Sequence, residues 1–87
     1  MADISDKPPI RGMEDIRDLF ARNLRRLRYA AQLSQETLAD LAGVNRGYMS
    51  DLERGRYNVS IKKLGSLADA LGVEPAELLR RNSTSGS

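Results

Sequence analysis

The sequence predicts an all-α fold, a compact bundle of five short helices, and three observations carry that expectation. Apolar residues recur at spacings of three and four in successive windows, and no window alternates apolar and polar residues as a strand does. Ser, Asn and Gly stand where those windows begin and end, as helix caps do. At 87 residues the chain is long enough for one core and no more, so a single domain is expected.

The first helix rests on Ile16, Phe20, Leu24, Leu27 and Ala31, whose spacing puts them on one helical face. Glu14, Asp15 and Asp18 sit near its start, where the helix dipole favours acids. Before it, the Pro8-Pro9 pair and Gly12 interrupt regular structure, so residues 1–12 are expected to form a flexible tail. Ser34 caps a short second helix that turns Leu38, Leu41 and Ala42 inward. Gly43 ends that helix with the positive φ a sharp turn needs, and Val44 drops towards the core. Asn45 then caps a third helix, from about Arg46 to Arg54, whose clearly apolar positions are Met49 and Leu52 alone. Gly55 ends it.

After the loop Arg56-Tyr57-Asn58, Ser60 caps a fourth helix with Ile61, Leu64, Leu67, Ala68 and Leu71 inward, closed by Gly72. Glu74-Pro75 opens a fifth helix with proline in its first turn, burying Leu78 and Leu79. The folded domain is expected to span 13–81. Residues 82–87, Asn-Ser-Thr-Ser-Gly-Ser, have nothing apolar to bury and are expected to be disordered.

Composition narrows the function. Without cysteine or histidine there are no disulfides, no thiol nucleophile, no zinc site of the Cys/His kind and no imidazole base. The acids and hydroxyls form no nucleophile–base arrangement, so an enzyme is not expected and no cofactor is implied. No apolar run is long enough for a membrane span or a leader, which points to a cytoplasmic protein without a membrane partner. The net charge of +2 is unevenly distributed. Residues 22–63 carry nine Lys/Arg against four acids, whereas both flanks are acidic, a pattern that fits a one-sided phosphate-binding surface.

Two short helices joined by a glycine turn, the second poor in buried residues, outline a DNA-reading helix-turn-helix. The stretch LSQETLADLAGVNRGYMSDLERG, residues 33–55, resembles the Cro and phage-repressor (XRE-like) family of helix-turn-helix transcriptional regulators. The likeness continues through NVSIKKLGSLADALGVEPAELL, residues 58–79, and back to LRRLR in the first helix, covering roughly three quarters of the chain. Arg46, Tyr48, Ser50, Glu53, Arg54 and Asn58 also resemble the controller proteins of restriction-modification systems. The resemblance implies a lambda-repressor-like DNA-binding fold, double-stranded DNA as partner and a homodimer on a two-half-site operator. No small-molecule ligand is evident.

Candidate roles follow from helix ends and from that likeness. Ser34 and Gln35 head the second helix and are candidates for a backbone phosphate, with simple capping as the alternative for Ser34. Asn45, Arg46 and Gly47 open the third helix, the end that enters the major groove in this motif. The Arg46 guanidinium matches guanine O6 and N7, or else touches phosphate only. Gly47 departs from the polar side chain usual at its position in the family. One turn on, Ser50 and Asp51 face the same side, where Asp51 either accepts from cytosine N4 or pairs with Arg54. Tyr48 either offers its hydroxyl to phosphate or packs as a rim. Arg54, Arg56, Asn58, Lys62 and Lys63 form a phosphate clamp or a merely solvated loop.

The family likeness further implies an internal ion pair between Arg28 and Glu53. It also implies dimerisation through C-terminal helices, where Leu71, Val73, Leu78 and Leu79 are the apolar residues available for the interface or for the core. A competing reading keeps the fold but makes the chain a protein-interaction module, an antitoxin-like or adaptor domain that reads no bases.

Overall fold

A computed structural model describes residues 15–81; the two expected tails lie outside the described residues. Among these residues there are four α-helices, α1 Ile16–Ala30, α2 Gln35–Ala42, α3 Arg46–Glu53 and α4 Ile61–Leu71, followed by a 3-10 segment Pro75–Leu79. Among the described residues there is no strand and no helix long and apolar enough to cross a membrane. The expected fifth α-helix is therefore corrected to a single 3-10 turn, held by i to i+3 bonds such as Glu77 N to Glu74 O at 2.9 Å. Five residues are too few to propagate α-helical bonding, and Arg80 is already extended.

What stops the chain there is Asn23, only 1% exposed, a polar residue inside α1. Its Nδ2 donates to the carbonyls of Leu78, at 3.1 Å, and Arg80, at 2.8 Å, while its Oδ1 accepts from Arg26. The side chain thus satisfies backbone acceptors that a continuing helix would have paired internally.

The caps form as the sequence leads one to expect. Ser34, Asn45 and Ser60 each accept a hydrogen bond from the amide three residues on, and Asp15 does the same for the Arg17 amide at the start of α1. Phe20, Leu24, Leu38, Met49, Leu52, Leu67 and Leu78 form one core to which every element contributes.

Five residues expected inside are outside: Ile16, Leu41 and Ile61 are 56%, 59% and 83% exposed, Leu79 is 39% exposed, and Ala31, which caps the end of α1, is exposed too. Ile16 and Ile61 are the first residues of their helices and project past the core's edge. Leu41 lies roughly 100° around α2 from the centre of the buried arc of Leu38, Ala39 and Ala42, at 100° per residue.

Gln32, just beyond α1, has φ 61°, in the left-handed region that branched Cβ geometry disfavours. Its conformation lets Leu33 N reach Arg28 O at 3.1 Å and closes the helix. Gln32→Gly should therefore stabilise the fold by about 0.5–1 kcal/mol, read as a higher urea midpoint at unchanged slope.

Candidate nucleic-acid interface

The turn between α2 and α3 is built locally. Gly43 takes φ 74°, and Val44 N then reaches back to Ala39 O at 2.9 Å, closing α2 and dropping Val44 against the core. Asn45 Oδ1 accepts from Tyr48 N at 2.7 Å and starts α3 at once. The result is a helix-turn-helix whose two axes are joined by three residues.

α3 keeps little of itself inside. Met49 and Leu52 are fully buried and Glu53 nearly so. At 100° per residue, positions 46, 47, 50, 51 and 54 fall within one arc of about 140° on the opposite side. Arg46, Gly47 and Arg54 are exposed there, with Ser50 and Asp51 half-buried. Asn45 is exposed, and its amide oxygen serves the cap, leaving its Nδ2 as the free donor. Asp51 and Arg54 form no ion pair among the described residues, so the internal pairing considered for Asp51 does not occur.

Underneath, α3 is anchored by charge. Arg28 Nε donates to Glu53 Oε2 at 2.6 Å and Nη2 to Oε1 at 3.0 Å, a bidentate pair with both side chains under 10% exposed. Arg28 Nη1 also donates to Leu33 O at 2.9 Å, and its guanidinium lies 4.6 Å from the Tyr29 ring centroid. The hydrogen bonds that Arg28 donates to Glu53 raise its pKa above the ordinary arginine value, so this charge is permanent. Arg25 Nη1 donates to the backbone carbonyl of Glu53, occupying an acceptor at the end of α3.

Gln35 has a partner that sequence reasoning missed: its Nε2 donates to Glu53 Oε1 at 3.0 Å. The first residue of α2 is thus tied to the last residue of α3, although the second hydrogen of its amide NH2 remains available to a phosphate. Ser34 caps α2 through Thr37 N and also donates to Thr37 Oγ1 at 2.9 Å.

Arg46, Arg54, Arg56, Lys62 and Lys63 have no ionic partner among the described residues, whereas Arg17, Arg28 and Arg80 do. The Tyr48 ring stacks on that of Tyr57, with centroids 6.1 Å apart and planes at 21°. That stack fastens α3 to the loop carrying Arg56 and Asn58. At the loop's start Gly55 has φ 72°, and a Cβ there would stand 2.6 Å from Asp18 Oδ1 of α1, so the bare backbone leaves room for that side chain.

The four C-terminal apolar candidates separate. Leu78 is wholly buried and unavailable to any interface, because the 3-10 turn folds back over α1 and α4. Leu71 and Val73 pack half-buried on the core, and Leu79 is 39% exposed. Unforeseen exposed apolar surface lies instead along a groove of about 160 Å³ lined by Ile16, Phe20, Tyr57, Ile61, Leu64 and Leu79.

Known proteins agree with this architecture. A family model described as a helix-turn-helix domain matches residues 19–81. Control protein C.BamHI of Bacillus amyloliquefaciens is 42% identical over 66 residues, spanning 75% of this chain and 82% of that protein. The crystal structure of the restriction-modification controller protein C.AhdI from Aeromonas hydrophila superposes with a TM-score of 0.70 at 50% identity, covering 71% of this chain and 94% of that one. The hypothetical transcription factor NHTF from Neisseria gives a TM-score of 0.78 at 33% identity, covering 91% and 93%. The chain belongs to the helix-turn-helix domain family of DNA-binding transcriptional regulators, which is non-enzymatic.

Proposed function

We propose that this regulator acts in the cytoplasm as a homodimer, setting the front of α3 into the major groove of each of two operator half-sites about 34 Å apart or a multiple of that. The observation that carries the reading is the contrast across α3: an apolar and ion-paired inner side, against an outer arc that begins with the unpaired Arg46. In this arrangement Asn45, Arg46, Gly47, Ser50 and Asp51 face base edges. Ser34, Gln35, Tyr48, Arg54, Arg56, Asn58, Lys62 and Lys63 supply phosphate contacts. The likeness to control proteins favours a controller of a restriction-modification system as the biological setting.

Fluorescence anisotropy of labelled duplexes tests this. A site selected from random DNA should bind at least a thousandfold tighter than scrambled sequence at physiological salt, and both affinities should fall steeply as salt rises. Equal affinity for both duplexes would refute base reading.

One recognition helix reads too few base pairs to find a site in a genome, so a second copy is needed. The groove bearing Ile16, Tyr57, Ile61 and Leu79 is the surface we assign to it, with Leu71 and Val73 at most at its margin. α4 is flat beside Ile61, since one turn on stands Gly65, where a Cβ would meet nothing within 4 Å. Ile61→Asp, at a position 83% exposed, should leave the fold intact and weaken dimerisation by about 2 kcal/mol or more. Sedimentation equilibrium should then find monomers where the native chain is dimeric.

A further inference from the structure

Glycine is the least favourable residue inside a helix after proline, so a helical glycine that the fold does not require asks for another explanation. Gly43, Gly55 and Gly72 all have φ near 73° and are required by their turns. Gly47 is different. It is the second residue of α3, has ordinary helical backbone, and is exposed. A Cβ there would meet only Asn45 Oδ1, at 3.4 Å, an ordinary contact that disturbs neither the cap nor the core. Nothing in the folded protein asks for the missing side chain.

We infer that Gly47 is a specificity-determining residue that acts through its bareness, leaving a notch beside Arg46 that admits the C5-methyl group of an operator thymine against the helix backbone. The inference rests on α3 reading the major groove. Every other sequence-dependent feature of that groove is a hydrogen-bond donor or acceptor and is best read by a polar side chain. The thymine methyl alone is apolar and projecting, and it needs room rather than a partner. Arg46 stands next in sequence and Ser50 and Asp51 one turn on, so the notch has polar walls and a backbone floor. An added methyl on residue 47 would fill the space that the thymine methyl needs.

The test uses the whole chain and a duplex selected by it from random DNA. Replacing thymines of one half-site singly by deoxyuridine removes one methyl at a time. One position should lose about fourfold in affinity, the worth of one buried methyl-sized group. Gly47→Ala should melt at or above the native temperature, bind the selected duplex about tenfold more weakly, bind scrambled DNA unchanged, and be indifferent to deoxyuridine at that position. If Gly47→Ala keeps native operator affinity and base preference, or if no deoxyuridine lowers native binding, the inference is overturned. Arg46→Ala in parallel separates the two levels. Selectivity lost with Arg46→Ala but kept with Gly47→Ala removes the inference alone, and selectivity kept by both removes groove reading with it.

Discussion

Glu53→Ala should lower the unfolding free energy by about 3–5 kcal/mol, enough to leave much of the protein unfolded at 37 °C, since a small domain has only about 5–15 kcal/mol in all. The size of the effect comes from what is left behind. Glu53 accepts from Arg28 Nε, Arg28 Nη2 and Gln35 Nε2, and it is 4% exposed, so its removal strands a buried guanidinium with no counter-charge. Arg28 cannot escape by losing its proton, because a guanidinium stays protonated even without a carboxylate beside it. The double variant Arg28→Met with Glu53→Leu should recover much of the loss, as apolar replacements of buried ion pairs do. Urea unfolding followed by circular dichroism at 222 nm measures all of them. A loss under about 1 kcal/mol for Glu53→Ala would mean that water reaches the pair.

Arg46→Ala should leave stability unchanged, because the side chain is exposed and unpaired, and should abolish preference at one base pair of each half-site. A bidentate arginine–guanine contact discriminates by about 1–3 kcal/mol, so the ratio of selected to scrambled affinity should fall about 5- to 150-fold per half-site. Arg56→Ala offers the contrasting pattern: affinity should drop about equally for every sequence, and the salt dependence should become shallower by about one counterion. If Arg46→Ala instead weakens all sequences alike, its role is phosphate contact.

Local signals were legible in the chain. Ser34, Asn45 and Ser60 cap, and Gly43 and Gly72 turn, because each acts on backbone within a few residues. Relations between distant residues were not. Asn23 meets the Leu78 carbonyl 55 positions away, and its burial overrides the rule that helix-interior asparagine faces water. Arg28 and Glu53 lie 25 positions apart, so only the family likeness suggested their pairing, and nothing suggested that Gln35 would join them. Helical periodicity also treats a helix as endless, whereas Ile16 and Ile61 stand in first turns, where the periodic face has already run past the core. The same edge effect hid the apolar groove.

Eight residues are too few for a helix to persist alone in water, yet α3 carries the reading surface. Arg25 and Arg28 from α1, with Gln35 from α2, converge on its last residue and splint it before any DNA arrives. Meeting an operator then requires little ordering entropy from this segment, so encounters are not slowed by a folding step and the lifetime of the complex falls to the quality of the fit.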